Sequence, residues 1–154
     1  MWCGLLSAGF SADDASAQYA VQTETSLTYA GLGTSLGVGY KFDHIRIFSG
    51  MNYLYSNNLN KGGWSTTIDY KPDSSSGKVF IRTDFFSYQN AQQNQLRITQ
   101  GYAGYGHIIR IKKHWEINSG IGIGGYRERL VKGAPEYTSN GMSYCISLGF
   151  SYWQ

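Results

Sequence analysis

The chain has 154 residues, of which 42% are hydrophobic and 15% charged, and its net charge is +3. A charged fraction well below the roughly 25% of soluble domains argues against an ordinary water-facing surface, and the mild, unclustered positive charge argues against nucleic acid as a partner. No apolar run reaches the ~20 residues that a transmembrane helix needs, so any membrane crossing must be made by strands.

Residues 1–17 differ from the rest. Leu5-Leu6-Ser7-Ala8-Gly9-Phe10 is a short apolar core, and Ala15-Ser16-Ala17 has the small-x-small form of a signal-peptidase site. We read 1–17 as a signal-peptide-like segment that is cleaved to leave Gln18. No Lys or Arg precedes the apolar core, so the segment is expected to be truncated. Residues 18–154 form a single β-barrel domain in this reading. Cys3 leaves with the segment, and Cys145 remains as a lone small thiol. Two cysteines make no disulfide framework.

From Gln18 onward the pattern has a period of two, the mark of strands with unlike faces. In the first predicted strand, 19–29, Tyr19, Val21, Leu27 and Tyr29 share one face and Glu24 lies on the other. In the second, 33–42, Leu36, Val38, Tyr40 and Phe42 alternate with Ser35, Gly37, Gly39 and Lys41. The third, 45–56, places Arg46 on the polar face. The fourth, 64–71, places Asp69 and Lys71 there, and the fifth, 78–88, adds Arg82 and Asp84. The sixth, 96–111, is irregular: Leu96, Ile98 and Tyr102 have one parity, Ile109 and Ile111 the other. We expect a bulge near Gly104-Tyr105-Gly106 to switch faces, and the face of His107 stays open. The seventh, 115–129, opens Trp115-Glu116-Ile117-Asn118-Ser119-Gly120-Ile121. The eighth, 141–153, alternates Met142, Tyr144, Ile146, Leu148, Phe150 and Tyr152 with Ser143, Cys145, Ser147, Gly149 and Ser151.

Breaks at 43–44, 72–77 and 112–114 are short. They alternate with breaks at 30–33, 57–63, 89–95 and 131–140. Two unlike sets of ends define an up-and-down meander. The fold class is therefore all-β, an eight-stranded antiparallel up-and-down transmembrane β-barrel, with short turns in the periplasm and longer loops outside. Tyr40, Phe42, Tyr70, Trp115, Tyr152 and Trp153 gather near the turn edge. Tyr53, Tyr55, Trp64, Phe85, Phe86, Tyr88 and Tyr126 gather near the loop edge. Two aromatic girdles suit two membrane interfaces.

The apolar face is assigned to lipid because the other face carries the charge. Glu24, Lys41, Arg46, Asp69, Lys71, Arg82, Asp84 and Glu116 are expected in the lumen as an ion-pair network, with Gly37, Gly39, Gly120, Gly122, Gly124 and Gly149 making room. An interior of eight strands is just wide enough for side chains to fill, so a plugged lumen is expected.

With its alternation, its Gly37-Val38-Gly39-Tyr40-Lys41-Phe42 before a tight turn and Ile45-Arg46, and its closing strand Leu148-Gly149-Phe150-Ser151-Tyr152-Trp153-Gln154, the chain resembles the small eight-stranded outer-membrane barrels of OmpA/OmpX type, the porin-like proteins. Gln154 follows the aromatic on which that family usually ends. The resemblance implies the outer membrane of a Gram-negative bacterium, contact with outer-membrane lipid and lipopolysaccharide, and the barrel-assembly machinery as a partner during biogenesis. Loops 57–63 and 131–140 are the expected sites of contact with protein partners.

No catalytic, metal or cofactor residues are assigned. Gly120-x-Gly122-x-Gly124-Gly125 precedes no helix, so it reads as lumen glycines rather than a phosphate loop. The spacing of His44, His107 and His114 suggests no metal site. Some barrels related to this family modify lipid A with His and Ser, and His107 is the candidate for such chemistry. The leading reading is a non-enzymatic barrel with a structural or surface-contact role. The rivals are a small channel or envelope-complex subunit, a lipid A-modifying enzyme, and a soluble lipocalin-like ligand binder.

Overall fold

The computed structural model describes residues 18–55, 61–72, 75–89, 95–132 and 137–154. The segment 1–17 lies outside them, as do 56–60, 90–94 and 133–136 within the expected loops. Eight antiparallel strands close on themselves in sequence order: β1 (Gln18–Thr28), β2 (Gly31–Phe42), β3 (Ile45–Tyr55), β4 (Lys61–Tyr70), β5 (Gly77–Gln89), β6 (Gln95–Lys112), β7 (Trp115–Lys132) and β8 (Tyr137–Trp153). Closure removes every sheet edge along the shared height of the wall.

The register fixes the shape. Stepping between paired residues from Gln18 to Lys41, Arg46, Asp69, Phe80, Gly104, Gly122 and Cys145 arrives back on β1 at Thr28, ten residues above the start. Such a stagger makes the strands tilt by roughly 35–45° to the axis. The turn end is tight. Asp43-His44 joins β2 to β3 with Asp43 at φ 54°, and Lys113-His114 joins β6 to β7. Asp tolerates the left-handed region better than most residues because its short side chain bonds locally.

The two faces sort as the alternation requires, and the apolar one is outside. Leu36 is 62% exposed, Val38 67% and Ile121 61%, while Arg46 is 1% exposed and Arg82 2%. On β6 the structure corrects the expected bulge. Residues 101–110 pair with β7 in unbroken register, and the irregularities lie between Gln95 and Leu96 and between Arg110 and Lys112. Ile98 and Tyr102 are buried and Leu96 is half-buried, all facing the lumen. Tyr105, Ile109 and Ile111 face outward. The parity never switches; the lumen contents change. Near the loop end the interior is itself apolar, with Leu54, Phe86 and Ile98 packed together and Ala30 and Leu96 against them. His107 is on the outer face, exposed, with its ring 5.0 Å from that of Tyr105.

Strands also reach further than expected at the loop end. Lys61 to Gly63 belongs to β4, and parts of 131–140 belong to β7 and β8, so the contact segments 57–63 and 131–140 are shorter as loops than the sequence suggested. The polar residues that read as loop are paired in register above the apolar belt.

Candidate functional site

The lumen is stacked in tiers. Nearest the turn end, Arg46 on β3 meets Asp69 on its paired position in β4 through two parallel bonds, Nε to Oδ1 at 2.7 Å and Nη2 to Oδ2 at 2.9 Å. Its Nη1 donates to Glu116 Oε2 at 2.8 Å. Lys78 Nζ donates to Asp69 Oδ2 at 2.9 Å, and Trp153 Nε1 donates to Glu116 Oε2 at 2.9 Å. Arg46 also lies beside the rings of Phe48 and Trp153, at 5.6 Å and 5.7 Å from their centroids. Two cations and two carboxylates are thereby neutralised, with every partner fixed by strand register. Buried charge is tolerated only when paired and hydrogen-bonded in this way.

Above this tier lies Phe80, which faces Gly104, Gly120 and Gly122. A Cβ added at those positions would come within 2.7, 2.9 and 3.1 Å of its ring. The next tier is Arg82, which donates from Nε to Asp84 and from Nη1 to Glu24, and reaches Ser26 Oγ at 3.3 Å through Nη2. Asn52 Nδ2 donates to Asp84 Oδ1 at 3.2 Å. Higher still, the Tyr102 hydroxyl bonds Gln100 and Ser143 beneath the apolar cap of Leu54, Phe86 and Ile98. The void beside Gln22, Glu24 and Phe48 measures about 10 Å³, space for at most about one water.

Six of the eight expected lumen charges, namely Glu24, Arg46, Asp69, Arg82, Asp84 and Glu116, are brought together as ion pairs. Lys41 and Lys71 are not, which corrects the expected network. Both are half-buried at the turn-end mouth, around a polar recess of about 240 Å³ shared with Arg110, Lys113 and His114. The carboxylates beneath them are already bound by Arg46 and Lys78. Sequence reasoning missed Lys78, although it shares the parity of Arg82 and Asp84. Its place beside a turn disguised it as a rim residue.

The girdles need correction as well. Tyr40, Phe42, Tyr53, Tyr55, Trp64, Tyr70, Phe85 and Trp115 are exposed on the outer face, and Tyr152 is half-buried there. Trp153 is 5% exposed and belongs to the lumen plug, because the parity that sends Tyr152 outward sends its neighbour in. Phe86 is buried, and Tyr88 shares its inward face. Tyr126 also lies on the inner parity of β7 and stacks on Tyr29, ring centroids 4.2 Å apart. On the outer wall, polar groups that lie among apolar side chains bond to one another. Trp64 Nε1 donates to Ser49 Oγ at 2.9 Å, and Ser49 and Thr66 hydroxyls lie 2.9 Å apart.

No group of three or more metal-ligating side chains lies together among the described residues. Cys145 is a buried thiol of the lumen wall. Chemically, the arrangement is an interior that holds its own charges together under an outer surface suited to hydrocarbon.

No protein-family model and no curated protein sequence matches the chain. Among solved structures, it is similar to the N-terminal β-barrel domain of Pseudomonas aeruginosa OprF, with a TM-score of 0.56 and 8% identity over 89% of this chain and 97% of that one. A major outer membrane protein of Thermus thermophilus gives a TM-score of 0.49 at 14% identity, covering 90% of this chain and all (100%) of that one. Neisserial surface protein A gives 0.44 at 13%, covering 88% and 94%. The likeness to the OprF domain agrees with the strand count, topology and closure described above. The chain thus has the fold of the small eight-stranded outer-membrane β-barrels.

Proposed function

We propose that this chain is a non-enzymatic barrel of the Gram-negative outer membrane, with a structural or surface-contact role and its loop end facing outward. The observation that carries the reading is the inversion of faces. Leu36 and Val38 on β2, Val21 on β1, Leu148 on β8, and Ile121 and Ile123 on β7 are all exposed around a buried ionic interior. Exposed apolar area on this scale is stable only against lipid or a partner. A lumen filled by Arg46, Phe80, Arg82 and the Leu54–Phe86–Ile98 cap supports a scaffold over a conduit. His107 is directly paired with Ser119, yet no hydrogen bond joins the two side chains, and the pair lies toward the turn end of β6 and β7. This supports a non-catalytic wall residue, because a general base needs its nucleophile within hydrogen-bond reach. The assembly machinery and any surface partner would meet the closing strand β8 and the loop-end rim.

The test is detergent-dependent folding of the full chain after cell fractionation. The reading expects the protein in the outer-membrane fraction, with heat-modifiable mobility in gels. In planar bilayers it expects little or no conductance. A stable monomer in detergent-free buffer would favour the soluble ligand binder, and steady conductance would favour the channel.

A further inference from the structure

On the outer face, β6 and β7 carry a row of side chains past the apolar belt. On β7 the row runs Ile121, Ile123, Gly125, Arg127, Arg129. On β6, climbing in the same direction, it runs Tyr105, Ala103, Gly101, Thr99, Arg97, and all ten residues are exposed. Arg97 and Arg129 are directly paired across the two strands, and Arg127 is paired with Thr99. Directly opposed residues hold their Cβ atoms about 5 Å apart, and like charges so placed repel. Among the described residues, no carboxylate lies within ion-pair distance of any of the three arginines. Their outward neighbours are Ser87, Thr138 and Asn140, which are neutral. Glu128 lies between Arg127 and Arg129 in sequence, with its side chain on the opposite face, where it is half-buried.

Just below the arginines the wall is hollow. Gly101 is paired with Gly125, and Ala103 follows. A Cβ at Gly101 would meet nothing within 4 Å, and at Gly125 it would meet only the Gly141 carbonyl oxygen at 3.4 Å. Met142 flanks this depression from β8 and Thr83 from β5.

We propose that Arg97, Arg127 and Arg129 bind the phosphate of an outer-leaflet lipid, with one acyl chain laid in the depression over Gly101, Ala103 and Gly125. Guanidinium groups suit phosphate because their planar donors engage two oxygens at once. The site stands where an apolar row turns cationic, the level at which a lipid changes from chain to headgroup. A bound phosphate also removes the repulsion between the paired arginines.

The proposal rests on the membrane reading above. Its test uses the full chain folded in detergent, with retention of bisphosphorylated lipid A and of the same lipid after phosphatase treatment read by native mass spectrometry. Wild type is expected to retain the phosphorylated form about tenfold better, and Arg97→Gln/Arg129→Gln to lose about that factor. The same double variant is expected to unfold at higher urea concentration in lipid-free detergent, since it relieves repulsion. Gly101→Leu fills the depression and lowers retention with the arginines intact. Lys112→Gln/Lys113→Gln, at the other rim, leaves retention unchanged. Equal retention of the two lipids, undiminished retention by the arginine variant, an equal loss in the lysine control, or full displacement by millimolar inorganic phosphate would each overturn the site. Heat-modifiable mobility of every variant separates these outcomes from a failure of the barrel itself.

Discussion

At the scale of single residues, the lumen is held by register-matched charges and by glycines that yield to rings. Asp69 has two cationic partners, Arg46 and Lys78, at 2.7 Å and 2.9 Å. Asp69→Ala strands a buried cation, and removing one member of a buried pair costs about 3–5 kcal/mol. Urea unfolding from lipid vesicles, followed by tryptophan fluorescence, should show that loss. Asp69→Leu/Lys78→Met removes charge in balance and should lose less. Gly39 offers a second check. A Cβ there would overlap the edge of the Phe48 ring, so Gly39→Ala forces the ring to move, a packing insult of about 1–3 kcal/mol. Adding Phe48→Leu should recover part of the loss, whereas a purely conformational role for the glycine would leave the double variant no better than the single.

At the scale of strands, the barrel is lopsided. β1 to β4 have 10 to 12 residues each, while β6, β7 and β8 have 18, 18 and 17. β8 pairs with β1 only up to Cys145, so residues 137–144 stand above it, supported by β7 alone. This stretch is the open edge of a patch that β5 to β8 build together, so among the described residues its side toward β1 has no ladder partner. Tyr126 supplies the missing support: its ring covers Gly141 on β8 and stacks on Tyr29 beyond the end of β1. Tyr126→Ala should therefore speed amide hydrogen exchange in 137–144, leave the belt strands unaffected, and cost about 0.5–1.5 kcal/mol, the worth of such an aromatic contact. Much of this level was legible in the sequence. Eight strands, their order and the short turns follow from the alternating breaks, and six of the paired charges follow from parity, because a period of two leaves each side chain one of only two faces. The overhang was not legible, because Thr138, Ser139 and Asn140 are polar on both faces and read as loop. The inward turn of Trp153, Phe86 and Tyr126 was missed for a related reason. An aromatic near a strand end satisfies an interface and a plug equally well, and only its parity separates them. On β6, apolar residues on both faces imitated a bulge.

At the scale of the whole molecule, the decisive quantity is the sign of the two faces. In water, the wall around Val38 and Ile121 would expose side chains that are 67% and 61% accessible, and an arginine at either site would be harmless or would improve solubility. In a bilayer, the same arginine would sit in hydrocarbon, at about 2–4 kcal/mol near the midplane and less toward the rims. Val38→Arg and Ile121→Arg should thus destabilise vesicle-folded protein by amounts that shrink when the substitution moves along the outward row to Tyr40 or to Gly125. A soluble barrel has no reason for such a depth profile. Spin labels at Val38 and Ile121 give the independent reading, with quenching by lipid-soluble reagents exceeding quenching by water-soluble ones. A label at Asn140, on the outward face above the belt, should show the reverse. Should the arginine cost be flat along the row, or the labels at Val38 and Ile121 answer to the water-soluble quencher, the apolar wall must be covered by something other than lipid.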